Sequence, residues 1–261
     1  MNAISKALSA GGVVLPRNIG CALLVLGIAL RLGPYLRNYS LEVSEASLSL
    51  NIMHRSYDQL RQPLDRNQAA PVGFLWTQKA STQWFGDSEY VLRLFPLLCG
   101  IVSLFLFSSI VAETLGVVGW LTSLGLFAVS KYLVFYSFQV KQYIVDVTCA
   151  LLLVRIALWA TKRQLRLKEA FILAFARAAA IWFSHPSVFV LGSVGAFLLC
   201  RCWTQDRAAI RWIAVVGVVW LLSFLYIYFL TLLALGRNNY LITFWKNGFM
   251  PFPPKSLHDF R

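Results

Sequence analysis

Long apolar runs separated by short polar segments dominate the chain from residue 13 onward. A transmembrane helix needs about 20 mainly apolar residues. Two runs, Leu94–Ala112 and Trp212–Gly236, meet this length without an internal charge. Other runs carry charges near their ends, where long side chains reach the membrane interface. The pattern predicts an all-α polytopic membrane protein with about seven transmembrane helices, at residues 13–36, 91–113, 115–136, 143–161, 169–184, 186–200 and 211–236.

The region from residue 169 to residue 200 fits either one long helix or two short ones. Basic clusters flank it on both sides, and the positive-inside rule places both clusters in the cytoplasm. That placement requires a hairpin. Because proline disfavours a helical conformation in the residue before it, we expect a break at Ser184-His185-Pro186, with His185 at the outer tip. The flanking basic residues are Lys162, Arg163, Arg166, Lys168, Arg201, Arg207 and Arg211.

The N-terminus is predicted to be cytoplasmic, because Lys6 and Arg17 precede the first apolar run. Residues 37–90 then form a first loop outside the cytoplasm. Within this loop, Pro71–Phe85 is apolar and aromatic but too short to span, so we expect a short helix lying in the membrane interface. More than half of the acidic residues fall in the loop, namely Glu42, Glu45, Asp58, Asp65, Asp87 and Glu89.

Composition supports a membrane protein. Hydrophobic residues make up 58% of the 261 residues and charged residues only 13%, against about 25% charged in soluble proteins. The net charge of +13 comes from residues at the ends of apolar runs, which favours membrane orientation over nucleic-acid binding. We therefore expect a multi-pass protein of the cell (inner or plasma) membrane. The scattered cysteines and histidines lack metal-ligand spacing, so no metal site is predicted.

Two acids of the first loop are candidates for catalysis. Glu42 and Glu45 are three residues apart and share a face in a helix. A carboxylate there suits a general base that takes a proton from a hydroxyl. Two solvated surface acids are the alternative interpretation.

The second outer turn, YSFQVKQYIVD, places ionisable residues at the mouth of a transmembrane helix. Gln142 and Asp146 would face the same side, beside Lys141 and Tyr143. Ionisable residues at membrane depth indicate a substrate pathway, and a structural ion pair is the alternative. The predicted substrate-pocket residues are Gln68, Gln142, Tyr143, Asp146 and His185.

Six segments in order resemble the GT-C class of membrane glycosyltransferases, in the family 39-like branch that includes protein O-mannosyltransferases and bacterial aminoarabinose transferases. The segments are EVSEASLSLNI (42–52), PLDRNQAAPVGFLWTQK (63–79), FGDSEYVLRLFPLLCG (85–100), VKQYIVDV (140–147), FSHPSVFVL (183–191) and FMPFPPKSL (249–257). The resemblance implies a single GT-C-like domain over residues 1–261. It also implies that this domain is incomplete at its C-terminus, because such proteins continue with further helices.

The resemblance further implies a polyprenyl-phosphate sugar donor and a lipid, glycan or protein acceptor with a hydroxyl or amine. Glu45 and Glu42 would be catalytic. Lys79, Lys141 and Arg93 would bind the donor phosphate by charge-assisted hydrogen bonds. No cofactor is certain, and the class leaves room for a divalent cation.

Two positions depart from this family. Its first loop usually carries an Asp-Glu pair, where this chain has Ser44-Glu45, and an acid often precedes the loop lysine where this chain has Gln78. A non-enzymatic membrane protein with the GT-C fold is therefore the second hypothesis. A small-solute transporter ranks a distant third, because no internal repeat is present.

Overall fold

The apolar runs fold as helices, because lipid offers no partner to a free backbone N–H or C=O group. The computed structural model describes residues 2–163, 166–205 and 207–245, and the regular structure in these ranges is helical. The helices are α1 (Asn2–Arg37), α2 (Val43–His54), α3 (Val72–Phe85), α4 (Glu89–Thr114), α5 (Val117–Val129), α6 (Lys131–Tyr136), α7 (Tyr143–Thr161), α8 (Leu167–Phe183), α9 (Ser187–Gln205), α10 (Ile210–Ile227), α11 (Leu233–Leu235) and α12 (Asn239–Trp245).

Five stretches within the described ranges are long and apolar enough to cross a membrane. They confirm a multi-pass α-helical protein and agree with five of the seven predicted transmembrane helices. A single π-helical turn, Tyr228–Leu232, joins α10 to α11. The five stretches are Leu15–Arg37, Glu89–Thr114, Tyr143–Thr161, Ser187–Thr204 and Ile210–Leu235.

The helix predicted over residues 115–136 is not continuous, because the backbone leaves the helical region at Ser130 (ψ 116°). The two pieces are α5 and the short α6. At 1.5 Å per residue, α5 is only about 20 Å long. The buried guanidinium of Arg31 lies at this break and donates from Nη1 to the Ala128 carbonyl oxygen at 3.2 Å. Arg31 thereby satisfies a carbonyl that the end of α5 leaves free.

The predicted break between residues 184 and 186 is confirmed. Helix α8 ends at Phe183, Ser184 is extended (φ −152°, ψ 111°), and α9 begins at Ser187. With 17 residues that include Lys168, Glu169 and Arg177, α8 is not among the five stretches of spanning character.

The segment between α1 and α4 packs against the bundle at one end, called here the loop end. The Gln142 side-chain amide, before α7, donates to the Ala69 carbonyl oxygen at 3.3 Å. The Trp76 and Trp182 ring centroids lie 6.0 Å apart, which brings α3 against the end of α8. Asn238, after α11, donates to Asn67 at 3.2 Å. The second turn, the α8–α9 junction and the segment after α11 therefore share this end.

The opposite end gathers the other termini of the same helices. Glu113 of α4 pairs with Arg155 at 3.1 Å and with Lys162 at 2.9 Å. The Arg201 guanidinium of α9 donates to the Thr161 carbonyl oxygen at the end of α7, at 2.6 Å. The two sets of helix termini therefore lie at different ends of the bundle. The last segment of the resemblance, residues 249–257, lies outside the described residues.

Apolar packing ties the loop to the transmembrane helices. Leu48 and Ile52 of α2, Phe74 of α3 and Ile144 of α7 are fully buried in one cluster. Helix α3 forms where Pro71–Phe85 predicts a helix, and its first turn packs inward. A side chain at Gly73 would lie 2.7 Å from the Trp182 carbonyl oxygen, so only glycine permits this approach of α3 to α8. The loop is therefore part of the protein core.

Topology can be tested by cysteine labelling in a variant whose five native cysteines are replaced by serine. Asp87→Cys lies at the loop end and Arg163→Cys at the opposite end. A membrane-impermeant maleimide added to intact cells should label position 87, and position 163 should react only after permeabilisation. Labelling of both positions from the same side would contradict an arrangement in which these two ends lie on opposite sides of the membrane.

Candidate functional site

Glu45 is the central buried group of the first loop, with no solvent exposure. It lies in the first turn of α2, where backbone N–H groups need partners. Its Oε2 accepts the Glu42 N–H at 3.1 Å, and its Oε1 accepts the Val140 N–H at 2.7 Å. The second bond joins α2 to the turn before α7. Glu45 is therefore held between two backbone segments.

Arg93 completes this network from α4. Its side chain is buried, with Nη2 lying 3.6 Å from Oε2 of Glu45. Its Nη1 donates to the Tyr39 carbonyl oxygen at 2.6 Å and to Oδ1 of Asn38 at 3.3 Å. Arg93 therefore fastens the end of α1 to α2 and α4. Both charges are engaged within the protein.

A cavity of about 600 Å³ lies beside this network at the loop end. Its wall comes from the start of the first loop, the 3-10 turn Asp65–Asn67 and the two residues after it, the α6–α7 connection and α12. Aromatic rings form one part of the wall, and the other part consists of neutral polar side chains together with acidic and basic ones. The aromatic residues are Phe135, Tyr136, Tyr143, Tyr240 and Phe244, and the polar residues are Glu42, Ser44, Arg66, Asn67, Gln68, Gln139, Lys141 and Gln142.

Lys141 places a positive charge at this cavity, next to acidic side chains. Its Nζ donates to Oε1 of Gln68 at 2.9 Å. Burial lowers the pKa of Lys141 from its ordinary value, and the charges of Glu45 and Glu42 offset part of that effect. The Glu42 side chain lines the cavity and is exposed. A carboxylate and an ammonium group that interact electrostatically thus share one site.

A strained turn next to Gln68 forms another part of the wall. Arg66 and Asn67 both have positive φ angles, 58° and 54°. Such angles are unusual for residues other than glycine. Buried Asn51 holds the turn from α2: its Oδ1 accepts the Asp65 N–H at 2.9 Å, and its Nδ2 donates to the Asp65 carbonyl oxygen at 3.3 Å. Arg55 grips the Asp65 carboxylate with two bonds, of 2.8 and 3.3 Å.

Five of the ten predicted site residues line the cavity: Glu42, Gln68, Lys141, Gln142 and Tyr143. Glu45 and Arg93 lie behind its wall in the buried network. Lys79 donates from Nζ to the Met53 carbonyl oxygen at 2.8 Å, near the end of α2. The five predicted site residues that do not line the cavity are Glu45, Arg93, Lys79, Asp146 and His185.

Asp146 and His185 lie at the meeting point of α7 with the α8–α9 junction. Asp146 is in the first turn of α7 and its side chain interacts with Ser184. His185 is half-buried, and burial lowers its pKa to about 4, so the imidazole is neutral at pH 7.

Sequence reasoning missed Arg66, Asn67 and Tyr240 as cavity residues. The signal was weak, because asparagine is only enriched at left-handed positions and arginine has no such preference. Tyr240 reaches the cavity only through folding of the segment after α11. The part that Asn51 plays in holding the Asp65 backbone was also missed, because an asparagine among apolar helix residues does not by itself indicate which group it binds.

No group of three or more His, Cys, Asp or Glu side chains within the described part of the chain could hold a metal ion. No protein family, curated protein or solved structure matches the chain. The likeness to GT-C glycosyltransferases therefore remains a prediction from residue patterns.

The buried pair makes Glu45 a structural residue whose loss should destabilise the fold. Glu45→Gln removes the fully buried partner of Arg93 and leaves only the partly exposed Glu89 carboxylate, 3.8 Å from Nη1, as a counter-charge, at a cost of about 3 kcal/mol. Glu42→Gln alters an exposed side chain, and we expect a change within about 0.5 kcal/mol. Thermal unfolding in detergent, followed by tryptophan fluorescence, measures both. Equal melting temperatures for the two variants would contradict the structural role of Glu45.

Proposed function

We propose that the chain is a GT-C-like glycosyltransferase that moves a sugar from a polyprenyl-phosphate donor to an acceptor hydroxyl or amine. The observation that carries this proposal is the cavity at the loop end, where Glu42 and Lys141 face one space with an aromatic wall. Sugar transfer from a phosphate needs a base for the acceptor and a cation for the departing phosphate. Aromatic rings offer flat apolar surfaces against which a sugar or a prenyl chain packs.

The proposed topology has seven crossings. In it, α5 with α6 and the short α8 cross the membrane together with the five stretches of spanning length. The opposite end carries the basic residues Arg163, Lys168, Arg201, Arg207 and Arg211, which favours a cytoplasmic position for that end under the positive-inside rule. The cavity then opens outside the cytoplasm, where the resemblance expects the reaction.

In the proposed step, an acceptor oxygen or nitrogen attacks the anomeric carbon while the bond from that carbon to the phosphate oxygen breaks. The sugar configuration inverts. The proton of the acceptor passes to the Glu42 carboxylate, and polyprenyl phosphate leaves with the bonding electrons. Lys141 stabilises the charge on that phosphate. Gln68 and Tyr143 line the sugar pocket, and Gln142 ties its wall to the first loop.

Glu45, Arg93 and Lys79 support this chemistry without taking part in it. Glu45 accepts the Val140 N–H next to Lys141 and helps keep the lysine charged. Arg93 holds Glu45, and Lys79 caps α2. Of the two acids that the sequence nominates as catalytic, the proposal therefore retains Glu42 as the base.

A second candidate function is that of a non-catalytic membrane protein with the same architecture. The observation that favours it is Ser44, which presents a hydroxyl to the cavity at the position where the resembling family has its aspartate. The other acid of that family pair, Glu45, is buried and fully engaged.

Purified protein in nanodiscs, supplied with polyprenyl-phosphate sugars, should release polyprenyl phosphate when an acceptor is added. Removing a general base costs about 10²–10⁴-fold in rate, so we expect a loss in this range for Glu42→Gln. Asp87→Asn, an exposed acid outside the cavity, is the matched control and should keep full activity.

Two outcomes would count against this proposal. Unchanged turnover in Glu42→Gln would remove Glu42 as the base. A native chain without turnover that gains it on Ser44→Asp would establish the non-catalytic alternative.

The lowered pKa of Lys141 predicts an alkaline limit to the reaction. Activity should fall as pH rises through this lowered pKa, because the ammonium loses its proton. In Lys141→Arg the limit should move to higher pH, since a guanidinium stays charged. Rates measured from pH 6 to pH 10 test this. A limit at the same pH in both proteins would exclude Lys141 as its source.

The lowered pKa of Lys141 makes activity fall as pH rises, but it makes the free energy of unfolding increase with pH. Between its lowered pKa and the ordinary value, the unfolded chain binds more protons than the folded one. The free energy of unfolding therefore rises with pH in that window.

A further inference from the structure

Three buried oxygen atoms without partners lie beneath the cavity, where α7 begins and α8 meets α9. They are Oε1 of Gln142, Oδ1 of Asp146 and Oγ of Ser184. Buried polar atoms in folded proteins nearly always have a hydrogen-bond partner or an ion. Two of these three accept only, and the serine hydroxyl both accepts and donates. Such a group calls for a ligand that carries positive charge or donates protons.

Two of the three side chains come from the start of α7, and the third comes from the residue after α8. Gln142 and Asp146 are one helical turn apart, and the Asp146 N–H donates to the Gln142 carbonyl oxygen at 2.9 Å. The Gln142 amide nitrogen is already committed to the Ala69 carbonyl oxygen. Ser184 is 1% exposed, and its hydroxyl is close enough to the Asp146 carboxyl group to interact with it, although the two groups do not have hydrogen-bond geometry.

The Ser184 backbone is fixed in place. Its N–H donates to the Ala180 carbonyl oxygen at 2.9 Å, and its carbonyl oxygen accepts the Ser187 hydroxyl at 2.6 Å. The position of the Ser184 hydroxyl opposite α7 is therefore determined by the α8–α9 break itself.

Asp146 lacks a basic partner. None of the ion pairs found in the described ranges includes it. Lys141 uses its ammonium group on Gln68, and the imidazole of His185 is neutral at pH 7. Arg177, two turns earlier in α8, forms no ion pair with this carboxylate. A carboxylate at membrane depth without a counter-charge is costly.

We propose that Gln142, Asp146 and Ser184 form a binding site for a small monovalent cation, with Na⁺ as the fitting ion. The site offers one carboxylate and two neutral oxygens, so a cation with a single positive charge makes the complex neutral. Divalent ions prefer several carboxylates or keep a large water shell, so they match this site poorly. Water from the cavity above, whose wall includes Gln142, would complete the coordination.

The bound cation would link α7 to the α8–α9 junction directly beneath the cavity. Its loss would leave three buried oxygens unpaired and loosen the cavity floor. This inference does not depend on glycosyl transfer, because the cation is bound by the fold whether or not a sugar is transferred.

Thermal unfolding of the purified protein in NaCl, KCl and choline chloride at equal ionic strength tests the site, together with direct ²²Na⁺ binding. Na⁺ should raise the melting temperature above that in choline, because a ligand that binds only the folded state stabilises it. Saturable ²²Na⁺ binding should accompany this rise. Asp146→Asn keeps the side-chain shape while removing the charge, and both effects should disappear.

Ser184→Ala removes one oxygen and provides a second variant should Asp146→Asn fail to fold. We expect its ²²Na⁺ affinity to fall by about tenfold or more, in line with losses seen when metal sites lose supporting groups. Asp87→Asn is the control and should bind ²²Na⁺ like the native chain. Equal melting temperatures in NaCl, KCl and choline would overturn the proposal. Binding that persists in both site variants would also overturn it.

Discussion

The buried contact between Glu45 and Arg93 is the constraint on which the loop end depends. These two opposite charges are both shielded from solvent and must lie close together, because an unpaired buried charge has a large desolvation cost. Satisfying this requirement fixes α2 against α4 and the end of α1. The remaining oxygen of Glu45 binds the Val140 N–H and so fixes the start of α7 as well. Four separate stretches of chain thus share one electrostatic centre.

The cavity is a consequence of that centre. Once the turn before α7 is anchored by Val140, Lys141 emerges next to the exposed Glu42 and meets Gln68. In another part of the wall, Asn51 and Arg55 hold a backbone that Arg66 and Asn67 would not adopt unaided. Strain of this kind clusters at functional sites, because the surrounding structure must maintain it. The protein therefore commits its polar side chains to shaping this cavity.

The helices of spanning length could be predicted from the sequence because apolar runs of that length have few other folds available. The break at Ser130 could not, since the carbonyl cap from Arg31 lies 97 residues away in sequence. The same applies to the site. Glu42 and Lys141, charged residues of the predicted outer turns, line the cavity, whereas pairing with Arg93 determines that Glu45 is buried. Burial of Glu45 depends on a partner distant in sequence, and the spacing of residues along the chain does not reveal that partner.

The strained turn and the buried acid have one more consequence, for the order of assembly during synthesis. Glu45 meets its partner N–H 95 residues later in the chain, and Asn67 meets Asn238 only 171 residues later. Contacts so distant in sequence form late. The first loop therefore leaves the ribosome long before the groups that complete it, and the loop end can be completed only once those later segments have been made.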